Sequence, residues 1–216
     1  MKNIAIAICA VALLFAACKS GTTEPAKTDS TAAATASADN KSEWVPVDSA
    51  TAMKAMMDAA TPGKEHEMLA KMNGNWKAET TMWMAPDGPP MVSTGNVVYK
   101  MILGGRYQQM LFSGNMMGAP FEGIGTTGYD NARKVFISSW MDNQSTSVMN
   151  LDGTWDEASK TITFTGKMFC APNGKWCDMK ETFRIIDDKN QLMEMWGPDM
   201  KTGKPYKNME IKLTKK

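Results

Sequence analysis

The chain has 216 residues, room for one ordinary domain with appendages, and its 24 basic side chains are balanced by 23 acidic ones. Loss of Lys2 with an N-terminal signal would leave no net charge, so nothing draws polyanions over long range and nucleic acid is excluded as an expected partner. Twenty-one methionines are a surplus that asks for its own account.

In chain order, "MKNIAIAICAVALLFAAC" opens with Lys2, an apolar run from Ile4 to Phe15, and Ala16-Ala17-Cys18. The run is shorter than the roughly 20 residues of a membrane-spanning helix, and it reads as a secretory signal over residues 1–17. Cysteine after two alanines resembles a bacterial lipobox, although Phe15 stands where leucine is usual. The expectation is a lipoprotein acylated at Cys18 and held at a membrane by its lipid anchor, each buried methylene contributing roughly 0.8 kcal/mol. Lys19 points away from inner-membrane retention, so the expected address is the cell envelope, at the outer membrane. The alternative is an ordinary cleaved signal. Residues 18–47 are rich in Ala, Thr, Ser, Lys and Asp and predict a disordered tether.

Residues 48–74 predict a helical segment. "DSATAMKAMMDAA" sets Met53, Met56 and Met57 on one apolar stripe. "TPGKEHEMLAKMNG" begins with Thr61 as N-cap and Pro62 in the first turn, buries Met68, Leu69 and Met72, and stops at Asn73-Gly74. From residue 75 to the end the period is two. Ten strands are predicted over 75–84, 91–102, 105–113, 119–130, 134–142, 145–151, 160–169, 176–186, 190–196 and 205–214. No helical crossover separates them, so the expected fold is mostly β: an antiparallel up-and-down barrel after a short helical segment.

The stretch "GAPFEGIGTTGYDNARKVFISSWMDNQST" predicts a bent hairpin about a turn at 131–134, pairing Asp130 with Val135, Tyr129 with Phe136 and Gly125 with Trp140. One face then carries Phe121, Tyr129, Phe136, Trp140 and Asp142, the candidate ligand-binding residues. A glycine–aromatic face of this kind is either cavity lining or packed core. "FCAPNGKWCD" predicts a disulfide between Cys170 and Cys177, set opposite each other by a four-residue loop at 172–175.

Several segments, "GKEHEMLAKMNGNW", "LGGRYQQM", "GAPFEGIGTTGYD", "SSWMDNQST" and "GTWDEASKTITFTG", resemble in order the motifs of the bacterial domain of unknown function 1579 family, over residues 63–214. The methionine surplus and the cysteine pair depart from that pattern. The resemblance implies an envelope barrel of the lipocalin or calycin kind with no established activity. Gly74-x-Trp76 is similar to the lipocalin opening, whose indole closes one barrel end beneath a basic side chain of the last strand, here Lys212 or Lys215.

Chemistry is sparse. His66 is the single histidine, lies on the helical segment, and is expected to cap the barrel by hydrogen bonding. One histidine and two bridged cysteines assemble no zinc site, and no cofactor is expected. A hydrolase acting on envelope glycans or lipids would need facing carboxylates, with Glu122 and Asp142 as the candidate pair. The methionines read as adaptable core filler or as a metal handler, since thioethers select Cu(I). The reading carried forward is a binding module for a small, partly apolar ligand rather than an enzyme.

Overall fold

Alternation of apolar and polar residues from Gly74 onward has one stable outcome, a sheet that buries one face by closing on itself. The computed structural model describes residues 44–216, of which Pro46–Lys216 form one compact unit. The signal, Cys18 and the tether as far as residue 43 lie outside the described residues. Two helices, α1 (Ser49–Ala60) and α2 (Lys64–Lys71), precede ten strands. These are β1 (Gly74–Met82), β2 (Met91–Ile102), β3 (Tyr107–Met116), β4 (Ala119–Asp130) and β5 (Val135–Asp142), followed by β6 (Met149–Asp156), β7 (Thr161–Cys170), β8 (Lys175–Ile185), β9 (Asn190–Pro198) and β10 (Pro205–Lys215). Every strand pairs antiparallel with its sequence neighbour, and β1 pairs with β10 from Trp76↔Lys215 to Met82↔Met209. The expected closed, mostly β barrel is therefore the observed one.

One end of the barrel is plugged by α2. Leu69 and Met72 are buried, at 0% and 4% exposure. The last carbonyls of a helix have no partner within it, and here side chains of the barrel supply three. Gln108 Nε2 on β3 donates to Leu69 O at 2.5 Å, Trp76 Nε1 on β1 to Met72 O at 2.9 Å, and Lys215 Nζ on β10 to Lys71 O at 3.4 Å. The Lys215 ammonium also lies 5.4 Å from the Trp76 ring centroid, so Lys215 supplies the cation at this end, while Lys212 lies near Glu210. His66 is buried, accepts the Gly63 N–H at Nδ1 (3.0 Å) and meets Tyr129 edge-on at 6.2 Å.

Three local expectations are corrected, and the α1 stripe is left uncovered. Thr61 does not open α2: its hydroxyl donates back to Met57 O at 2.7 Å, and Gly63 is the N-cap. Met53, Met56 and Met57 are 60%, 68% and 63% exposed, because α1 is held at its end, by Asn131 Nδ2 donating to Thr61 O (2.7 Å) and Ala59 O (3.2 Å), and not along its stripe. The sixth strand runs over Met149–Asp156 rather than 145–151. Asp142 accepts the Gln144 N–H and Ser145 the Ser147 N–H, and these side-chain turns hold 143–148 out of the ladder. The Cys170–Cys177 disulfide is present with its Cα atoms 6.1 Å apart, but the residues are diagonal, Cys170 facing Lys175 and Cys177 facing Met168. The loop is Ala171–Gly174 rather than 172–175, since Gly174 takes φ 66° to close it.

Replacing Gln108 with leucine keeps the volume and removes one of the two donors to the buried Leu69 carbonyl, leaving the Met72 N–H. A loss of about 0.5–1.5 kcal/mol is expected, read as a lower midpoint of chemical denaturation with an unchanged slope.

Candidate functional site

Strand β4 alternates as the sequence predicts, with Gly123↔Asp142, Gly125↔Trp140, Tyr129↔Phe136 and Asp130↔Val135 in register with β5. A Cβ on Gly123 would collide with the Trp140 indole, so glycine there lets the ring lie flat on the backbone. Trp140 is fixed by Nε1 donating to Asp142 Oδ2 at 2.9 Å and by stacking on Phe121, 6.4 Å between centroids and 22° between planes. Phe112 meets Phe121 edge-on at 5.5 Å.

This face divides along its length. Phe121, Trp140 and Asp142 line a cavity of about 480 Å³ inside the barrel. Tyr129 and Phe136 do not reach it. They pack on each other at 5.0 Å at the plugged end, where Phe136 is 1% exposed, because α2 fills the barrel there. The cavity opens at the other end, past Met82, Met84 and Met200. Gly74 and Trp76 belong to the closed end.

The walls are two apolar clusters. Phe112, Phe121, Ile211 and Leu213 of one cluster face the cavity on one side, and Met149, Ile162, Phe164 and Met179 of the other cluster face it on the other. Trp140 and Phe183 pack against both. Twelve of the 21 methionines line the space between them; Met72, Met149 and Met179 among these are also buried core, and the rest coat the cavity.

Few polar groups interrupt this lining, and the main ones were not evident from the sequence. Glu181 projects inward from β8 between Met179 and Phe183. No hydrogen bond or ion pair of its carboxyl occurs among the described residues, and burial pushes its pKa up from 4.5 to about 7. Burial, and then the Glu181 charge, likewise raise the Tyr99 phenol. Thr80 Oγ1 and Asn208 Oδ1, also on the lining, are buried without partners among the described residues. The signal was available: in "CDMKETF" Glu181 has the parity of Cys177 and Met179, and so had to face inward.

The facing carboxylates of a hydrolase are not assembled from the expected pair. Asp142 turns into the cavity and Glu122, exposed and of opposite parity on β4, turns outward. Asp130 caps the 131–134 turn through the Ala132 and Arg133 N–H groups, Asp152 pairs with Arg133, and Glu194 with Lys207. Among the described residues no three His, Cys, Asp or Glu side chains cluster as metal ligands.

Glu181 makes stability depend on pH. The unfolded chain gives up this proton near 4.5 and the folded protein near 7, so across that window the unfolded state is favoured progressively as pH rises. Unfolding free energy should fall by at most about 3 kcal/mol between those limits. Glu181→Gln should flatten this part of the profile in denaturation curves taken at successive pH values.

Comparison with known proteins places this geometry. Among solved structures, Rv2717c from M. tuberculosis aligns with a TM-score of 0.55 at 13% identity, over 72% of this chain and 99% of that one, a likeness of fold. A redesigned β-barrel aligns with a TM-score of 0.36 at 11% identity, over 68% and 94%. No curated protein matches the sequence. The profile described as "Protein of unknown function (DUF1579)" matches residues 61–215, which is α2 and the whole barrel, and the chain belongs to that family.

Proposed function

We propose that this protein is a binding barrel of the cell envelope that takes a small, mostly apolar molecule into its interior. The observation that carries the reading is the cavity itself: about 480 Å³, closed by α2 at one end, open at the other, and walled by thioether and aromatic side chains. Ligand sites of 300–1,000 Å³ that combine apolar walls with a few placed polar groups are the common kind. Here Glu181, Tyr99, Thr80 and Asn208 would orient the polar end of the guest, and Phe121 and Trp140 would pack on its body. Asp142 is the support of the indole.

The envelope address rests on the Ala16-Ala17-Cys18 signal, with Cys18 acylated, and on the Cys170–Cys177 bridge, which suits an oxidising compartment. On this reading the membrane is a partner through the anchor alone. The lipocalin-like opening, Gly74-x-Trp76 beneath Lys215, supports the same assignment.

Two measurements check it. Native mass spectrometry of protein purified from its own envelope should find a copurified small molecule. An apolar fluorescent probe should bind the wild type and bind Met193→Trp at least tenfold more weakly, because an indole at that position fills the cavity. Equal binding by a folded Met193→Trp protein would contradict the interior site.

A further inference from the structure

The barrel register arranges the cavity methionines in an order that composition alone does not require. Met82 on β1 pairs with Met209 on β10, Met209 pairs with Met195 on β9, and Met195 pairs with Glu181 on β8. All four side chains line the cavity. Residues directly opposite on neighbouring strands have Cβ atoms about 4.5–5.5 Å apart. Three thioethers and one carboxylate therefore lie side by side in a single row across four adjacent strands. Because barrel strands tilt, such a row slopes from the mouth, at Met82, toward the interior, at Glu181.

We propose that Met82, Met209 and Met195, with Glu181 beside them, form a site for a soft monovalent cation, Cu(I) in the first place. Thioether sulfur is a neutral, polarisable donor that selects Cu(I) over harder ions. Methionine has three rotatable bonds, so neighbouring sulfurs bordering open space can converge on one ion without moving the backbone. Neutral donors leave a buried cation uncompensated, and the carboxylate supplies one negative charge against one positive charge. That pairing also accounts for a buried carboxyl with no cation beside it among the described residues. Nearby basic side chains are turned outward: Lys180 lies over Trp196 and Lys207 bridges Glu194 and Glu210. Met84 and Met200 line the mouth and form the entry path that a metal site needs. Binding exchanges ligands only, with no electron transferred. The site shares the cavity of the binding reading above but needs no organic guest.

The probes are Ag(I), which has the same charge and ligand preference and is stable in air, and Cu(I) under anaerobic conditions. The full-chain protein should retain one ion in native mass spectrometry and hold it against a chromogenic Cu(I) chelator. Met82→Leu/Met195→Leu/Met209→Leu should weaken retention at least a hundredfold, and Glu181→Gln at least tenfold. Met53→Leu/Met56→Leu/Met57→Leu, which removes as many methionines from the exposed stripe of α1, should change nothing. Circular dichroism and the apolar-probe assay on each variant show whether the barrel and its cavity persist. No retention by the wild type overturns the proposal. So does retention that survives the cavity variant or is lost with the α1 variant. Probe binding without ion retention would leave the binding barrel standing and remove the metal site. Should the triple variant fail to fold, Glu181→Gln and Met195→Leu alone decide, and unchanged affinity in both overturns it.

Discussion

The structure depends on how the last turn of α2 is satisfied. Helical carbonyls pointing into a barrel would be costly if left bare, and three donors from β1, β3 and β10 meet them. Those strands bring together the first, the last and a near neighbour of the first, so the same contacts that complete the helix also pin the seam where the sheet closes. Trp76 serves twice, through its indole N–H on Met72 and through the face it presents to Lys215. With one end sealed in this way, the other is left as the way in.

Closure and incomplete filling together explain the interior. Ten strands enclose more space than these side chains occupy, and α2 takes up the excess at one end only. What remains is coated with methionine, whose unbranched side chain adapts to whatever lies beside it. Glu181 is the exception in this surface, and its raised pKa reflects the lack of any neighbour that would favour its charge.

Much of this was legible in the sequence. The 118–146 hairpin was readable to the residue, since Asp130 and Asn131 mark the turn and the glycines on β4 admit one register against bulky β5 neighbours. Strand β6 was misplaced because Val148 and Met149 extend an apolar pattern through a serine-rich stretch whose side chains cap its own backbone. The cysteine pair was recognised but its register was not, because a loop with glycine at positive φ closes one residue earlier than proline alone suggested. Whether the aromatic face would be core or cavity was not readable. That turns on how far α2 penetrates, a volume question that strand periodicity does not address, and the answer differs for Tyr129 and Trp140 on the same hairpin. The Met82–Met209–Met195–Glu181 row likewise needed the β1–β10 closure and the bulge between Lys207 and Met209 before it existed.

Asn131 hooks the terminal carbonyls of α1 from the β4–β5 turn, on the sealed side of the barrel. The C-terminal end of α1 is thereby joined at the stopper and not at the rim. A force applied along α1 would pass through this hook and on to α2, which follows it directly in the chain.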